Sequence, residues 1–205
     1  PGAWYTIAID VIMPDGRTLQ VASCHHYRDQ WARAFDVTYE SESGDQEFVH
    51  QTTYGMSERL LGAIVATHGD DQGLIMPPSV APIQVIVIPI IAKNSSEDML
   101  SEAEKIVSKL KDAGIRARMD ARDIRPGQKY YDWEIKGVPL RIEIGPRDLA
   151  NDSFMCARRT GGKESHPLSN LVDIVNDELS SIGQEMSKKS KEHFNSCIQK
   201  LPSFS

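Results

Sequence analysis

Trp133-Glu134-Ile135-Lys136-Gly137-Val138-Pro139-Leu140-Arg141-Ile142-Glu143-Ile144-Gly145-Pro146-Arg147-Asp148 sets a charged turn before an apolar strand and closes it with a Gly-Pro-Arg-Asp corner. Gly137 and Pro139 break whatever precedes them. Leu140, Ile142 and Ile144 alternate with Arg141 and Glu143, as a strand with one buried face requires, so Arg141 is expected to face away from the apolar side. Glu134 and Arg147 flank the strand. A carboxylate and two guanidiniums can therefore gather on one side of a sheet, which suits the Watson–Crick edges of unstacked RNA bases. The same residues also read as a solvated ion-pair cluster, and spacing alone leaves both readings open.

Working outward, Ile83 to Ile91 is a near-continuous apolar run, expected of a central strand covered on both faces. Asn94-Ser95-Ser96-Glu97 supplies a helix start, Met99, Leu100, Ala103, Ile106, Val107 and Leu110 an apolar stripe, and Gly114 a stop. Ile115 to Met119 reads as another strand, and the order strand, helix, strand predicts a right-handed parallel crossover. Downstream, Phe154 to Arg158 reads as a strand. A last helix carries Leu168, Leu171, Val172, Val175, Leu179, Ile182 and Met186 at helical spacing, with a second helix or docking segment expected beyond Met186.

The first eighty residues have a different pattern. Tyr5 to Ile12 and Thr18 to Ala22, joined by Met13-Pro14-Asp15-Gly16-Arg17, predict an antiparallel hairpin. A helical Gln30 to Phe35 and a polar loop lead to a strand over Gln46 to Tyr54. Gly55-Met56-Ser57-Glu58-Arg59 then opens a helix whose Leu60, Leu61, Ala63, Ile64, Val65 and Ala66 predict burial against the sheet. Ser79 to Pro82 marks a boundary between the two units.

Composition narrows the classes. A length of 205 residues allows one or two domains, and no apolar run is long enough to span a bilayer. Pro1-Gly2-Ala3 lacks the basic and apolar regions of a secretory signal, so a cytoplasmic location is expected. Cys24, Cys156 and Cys197 are odd in number and widely spaced, and are read as free thiols rather than a disulfide framework or zinc site. A net charge of −6 argues against broad nonspecific nucleic-acid binding, DNA included. Basic residues nevertheless gather between Arg116 and Lys163, which allows selective contact with a structured RNA.

WEIKGVPLRIEIGPRD resembles the WELKGVPxRxExGPRD segment in the anticodon-binding domain of prolyl-tRNA synthetases. The likeness extends upstream through Arg122-Asp123 and Pro126 to Tyr130, and downstream to Arg158-Arg159 and Gly161-Gly162-Lys163. The resemblance implies that Glu134, Arg141, Arg147 and Lys163 contact the second and third anticodon bases, both guanines for proline. A guanidinium fork on O6 and N7, or a carboxylate accepting from N1 and N2, is chemistry these side chains supply.

The hairpin, strand, glycine and arginine-bearing helix of the first unit resemble the rear half of a class II synthetase catalytic domain, ending in its third signature motif. His68 to Pro78 resembles the family's HGDDxGLxLPP segment. By position, the resemblance implies that Arg59 meets the ATP phosphates in catalysis and that Gln20, Ser23 and Ser57 bind nucleotide. It places His25 in the proline pocket and Gly55 beside the ligand.

Other readings stand beside these. Arg59 can simply pair with Asp70 or Asp71. His25 and His26 are adjacent on a strand and point to opposite faces, which makes joint metal capture improbable. Gln20 and Ser23 differ by an odd number, so sharing a ligand requires a bulge or strand end between them. Arg28 stands where relatives carry a glycine, and a positive φ there costs an arginine about 1 kcal/mol or more. Glu58 is assigned no role.

The expected architecture is α/β: residues 1–80 as the rear half of an antiparallel-sheet catalytic domain, 81–185 as a mixed-sheet α/β anticodon-binding domain, and 186–205 as a helical tail or the start of a further domain. The family's first two signature motifs and its C-terminal zinc domain fall outside the sequence, so the chain is read as a fragment with no zinc site of its own. The implied function of the whole is ATP-dependent attachment of proline to tRNA(Pro) through prolyl-adenylate, with Mg2+, in a homodimer. The alternative is a noncatalytic tRNA-binding or regulatory protein that retains the anticodon-binding fold.

Overall fold

The computed structural model describes residues 2–91 and 96–200, with the side chains of Ser96 and Glu97 left aside. The chain forms two compact units, Pro1–Thr67 and His68–Ser205.

In the first unit, β1 (Tyr5–Ile12) and β2 (Thr18–Arg28) make the predicted antiparallel hairpin. Gly16 permits its turn, with φ +81° and its N–H donating to the Met13 carbonyl at 2.9 Å. α1 (Gln30–Phe35) follows and leads into a small pair, β3 (Thr38–Glu40) and β4 (Gln46–Phe48). β5 (Gln51–Met56) then pairs antiparallel with β2, giving a three-stranded sheet in the order β1-β2-β5. The single strand expected over 46–54 is thus two strands in two sheets.

α2 (Arg59–His68) corrects a second expectation. Its apolar composition predicted burial, yet only Ala63 is buried, while Leu61 is 60% and Val65 50% exposed. A helix of ten residues with one buried position covers a single narrow stripe, whatever its other faces carry.

The second unit is built on five strands in the order β10-β9-β8-β6-β7. β6 (Val85–Pro89) is buried throughout and central, parallel to both β7 (Ala117–Met119) and β8 (Leu140–Ile144). α3 (Ser96–Asp112) makes the crossover from β6 to β7. Its expected start at 94–95 lies outside the described residues. Gly114, at φ +79°, turns the chain out of the helix.

α4 (Pro126–Ile135) leads into β8, and α5 (Pro146–Ala150) follows it. The Gly-Pro-Arg-Asp corner works as an N-terminal cap: the Asp148 carboxylate accepts the Gly145 N–H at 2.8 Å, and Pro146 occupies the first helical position. β9 (Ser153–Arg158) and β10 (Lys163–Pro167) complete the sheet as an antiparallel hairpin. α6 (Leu171–Ser196) runs on past Met186 as one helix, so the residues beyond it form a helical tail and not a second helix.

Both faces of this sheet are used. Val85, Val87, Leu140, Ile142, Ile144, Phe154 and Cys156 form one core with Met99, Ala103, Ile106 and Leu110 of α3 and with Leu171, Val175, Leu179 and Ile182 of α6. The other face carries a smaller cluster in which Ile86 and Ile88 meet Trp133 and Val138. Each fully buried aliphatic side chain contributes roughly 1.5–3 kcal/mol. β8 is therefore not a strand with one buried face: Arg141 is half-buried and Glu143 is only 6% exposed. Alternation of charge and hydrocarbon marked the two faces correctly, but α4 folds back over the charged one.

Candidate nucleic-acid interface and nucleotide site

The charged face of β8 is where four sequence-selected or neighbouring side chains meet. Arg141 and Glu143 are two apart on the strand and so share a face. The Arg141 guanidinium donates from Nε to Glu143 Oε1 at 3.0 Å and from Nη1 to Glu134 Oε1, on the last turn of α4, at 2.8 Å. Its carbon lies 4.0 Å from the Tyr130 ring centre, a cation–π contact one turn earlier on α4.

Register brings in the fourth charged side chain. Arg141 faces Ala157 across β8–β9, and Ala157 faces Lys163 across β9–β10. The small Ala157 lets Lys163 reach back across β9, where its ammonium donates to Glu143 Oε2 at 2.7 Å. The cluster therefore holds two cations and two carboxylates. Burial pushes the Glu143 carboxyl up, but hydrogen bonds from Lys163, Tyr130 and Arg141 more than offset it and hold the group below its ordinary range. Burial and the adjacent Glu143 push the Tyr130 phenol up. Both groups keep fixed protonation states near neutrality.

Arg147 stands apart. It is exposed on α5, and among the described residues no ion pair or side-chain hydrogen bond joins it to the cluster. The expected gathering of Glu134 with two guanidiniums is thus a gathering with Arg141, Glu143 and Lys163.

A second layer fixes α4. Arg159, buried at 8% exposure, binds both oxygens of Asp70, and its Nε donates to the Glu134 carbonyl at 3.0 Å. The hydrogen bonds from Arg159 hold the Asp70 carboxyl at about 2. Asp70 is therefore the partner of Arg159. The stretch around it is seated by close backbone contact, with Leu74 N–H on the Ile135 carbonyl at 3.0 Å and Met76 N–H on that of Gly137 at 3.1 Å. At Gly137, with φ +70°, an added Cβ would stand 2.5 Å from the Leu74 oxygen. Against the same last turn of α4, the buried Asp120 accepts from Trp133 Nε1 at 2.7 Å and from Arg122 Nη2 at 2.7 Å. Burial raises its pKa, but these bonds outweigh burial and leave it well below the carboxylate range.

In the first unit the parity problem of Gln20 and Ser23 is resolved by a bulge. Ile9 faces Ala22 while Asp10 faces Gln20, so Val21 is an extra residue in β2. Gln20, Ser23 and His25 consequently share one face, opposite Asp10, Ala8 and Thr6. Gly55 faces Ser23 from β5. Gln20, Ser23, Gly55, Ser57 and Arg59 line a cavity of about 320 Å³. Arg59 is exposed there, with no ion pair among the described residues.

His25 is engaged at both ring nitrogens, Nδ1 at 2.8 Å from Thr6 Oγ1 and Nε2 at 3.0 Å from Ser23 Oγ. Arg28 does adopt a positive φ, +50°, beside a register shift in β2. Its guanidinium lies 3.3 Å from the Trp4 ring centre, a contact that offsets part of the backbone cost.

Sequence comparison agrees with this division. Residues 1–68 match the family described as the tRNA synthetase class II core domain (G, H, P, S and T), and residues 84–178 match the one described as the anticodon binding domain. The proline–tRNA ligase of Thermococcus kodakarensis is 50% identical over 98% of the chain, and that of Methanocorpusculum labreanum 47% identical over 97%. The chain spans 42% of the length of each of these relatives. Among solved structures, Giardia lamblia prolyl-tRNA synthetase in complex with prolyl-adenylate superposes with a TM-score of 0.86 at 35% identity, over 96% of this chain and 43% of that one. The chain thus joins a segment that matches the class II synthetase core to one that matches the anticodon-binding domain, and over nearly its whole length it is similar to prolyl-tRNA synthetases.

Proposed function

We propose that the chain takes part in ATP-dependent attachment of proline to tRNA(Pro), with the first unit serving the adenylation site and the second reading the anticodon. In the complete enzyme, proline's carboxylate attacks the α-phosphate of ATP and pyrophosphate leaves. The prolyl group then passes from the adenylate to the tRNA 3′ end, so no protein nucleophile is needed. Arg59 offsets charge on the phosphates, a task suited to an obligate cation with fork geometry. Gln20, Ser23 and Ser57 hold the nucleotide, and His25 lines the proline pocket. Mg2+ enters as the counter-ion of ATP, and no residue of this chain is assigned to it. The working enzyme is a cytoplasmic homodimer on this reading.

Glu134, Arg141, Arg147 and Lys163 select tRNA(Pro) by its two anticodon guanines. The observation that carries this reading is the charge-balanced cluster on β8. Of the five N–H donors of Arg141, one on Nε and one on Nη1 are taken by Glu143 and Glu134, which leaves three, on Nη1 and Nη2, for O6 and N7 of a guanine. The test is binding of the purified chain to tRNA(Pro) and to a version with both anticodon guanines replaced, at one fixed salt concentration because phosphate contacts vary steeply with salt. The expected result is clear preference for the unaltered tRNA. Equal or absent binding contradicts anticodon reading by this chain.

A further inference from the structure

We propose that Glu143 is the positioning residue of the anticodon site, the shared counter-ion that aims both Arg141 and Lys163 and keeps their charges from acting as a general phosphate trap. This inference rests on the proposed reading of that site. Exposure grades outward through the cluster: the Glu143 side chain is 8% exposed, Arg141 16%, Glu134 35% and Lys163 45%. Glu143 is thus the member least able to touch a base and the one bonded to both cations. It sits on the central part of the sheet, between the β6 and β9 strands, where backbone pairing on either side allows little adjustment.

Geometry gives its two oxygens separate tasks. Oε1 holds Arg141 by Nε and Glu134 takes one hydrogen of Nη1, which leaves Nη2 and the second Nη1 hydrogen without a protein acceptor among the described residues. Oε2 anchors Lys163 Nζ from across β9. Two cations against two carboxylates give the cluster no net charge. A neutral array of fixed donors and acceptors discriminates base edges, whereas surplus positive charge binds any phosphate backbone.

The test is Glu143→Gln in the full 205-residue chain. Affinity is measured for tRNA(Pro) and for the guanine-replaced tRNA across a salt series, beside a thermal melt. Glutamine keeps the shape and removes one negative charge. The preference for the unaltered tRNA should fall about tenfold, the discrimination carried by one bidentate base contact. Affinity for the altered tRNA should hold or rise, and the salt dependence should steepen by about one counter-ion. A merely structural role would weaken both RNAs together and leave the salt dependence alone. If the glutamine variant does not fold, Glu143→Asp carries the test: the retracted carboxylate keeps the charge and should lose preference without changing the salt dependence. Preference retained by the folded variant, with the parent chain selective, overturns the inference. A parent chain without preference overturns the reading on which it rests.

Discussion

The two units of this chain solve the same problem in opposite ways. In the second, a five-stranded sheet is covered on both faces, and its charged site is held by buried side chains such as Glu143, Arg159 and Asp120. In the first, only Val21, Ala32 and Ala63 are buried among the described apolar residues, while Ile7, Ile9, Leu61 and Val65 are exposed. Its site is fixed by strand register instead: one bulge at Val21 turns Gln20 onto the face of Ser23 and His25. Packing holds one site and backbone pairing the other, so substitutions should act through different links in each unit.

Core truncation separates them most. Phe154→Ala removes a fully buried ring from the second unit and should cost about 3–5 kcal/mol, whereas Ile7→Ala, at 55% exposure, should cost well under 1 kcal/mol, both read by denaturant melts. Similar losses at the two positions would erase the distinction.

A glycine pair sharpens it. Gly137→Ala adds a methyl 2.5 Å from a backbone oxygen at φ +70°, and should cost about 2–3 kcal/mol. Gly16→Ala, at φ +81° with nothing within 4 Å, should cost only about 1 kcal/mol. Equal costs would mean that the contact between Leu74 and Gly137 carries no load.

Acid should loosen the second unit selectively. The Asp70 carboxyl is ordinary when unfolded, near 3.8, and held at about 2 when folded. Its contribution is therefore complete above about pH 4 and lost as pH falls through about 2. Asp70→Asn should flatten that part of the pH–stability curve, and an unchanged curve would contradict the role given to the Arg159 pair.

The smallest effect is chemical. Burial pushes the Cys156 thiol up to about 12, so at pH 8 a thiol reagent should label the exposed Cys197 well before Cys156. Comparable labelling rates would show that the core opens readily.

How far the sequence reached depended on the kind of interaction. The central strand over 85–89 and the hairpin around Gly16 were legible because period and turn chemistry are local. Glu143 was not, because a strand alternating hydrocarbon and charge reads as half-exposed until a helix is seen covering the charged side. The usable signal was Arg-x-Glu, two opposite charges on one face. β10, with the sequence Lys-Glu-Ser-His-Pro, is too polar to read as a strand and exists as an edge paired to β9. The exposure of α2 went unseen because apolar composition records what a helix can bury, not what lies against it.

The most direct test of the central claim is chemical protection of guanine N7 in tRNA(Pro) bound to the chain, compared with the Arg141→Ala variant at saturating protein. The anticodon guanines should be shielded by the parent chain and reactive with the variant, while guanines elsewhere behave alike in both. Anticodon guanines that stay fully reactive in the parent complex would contradict that claim.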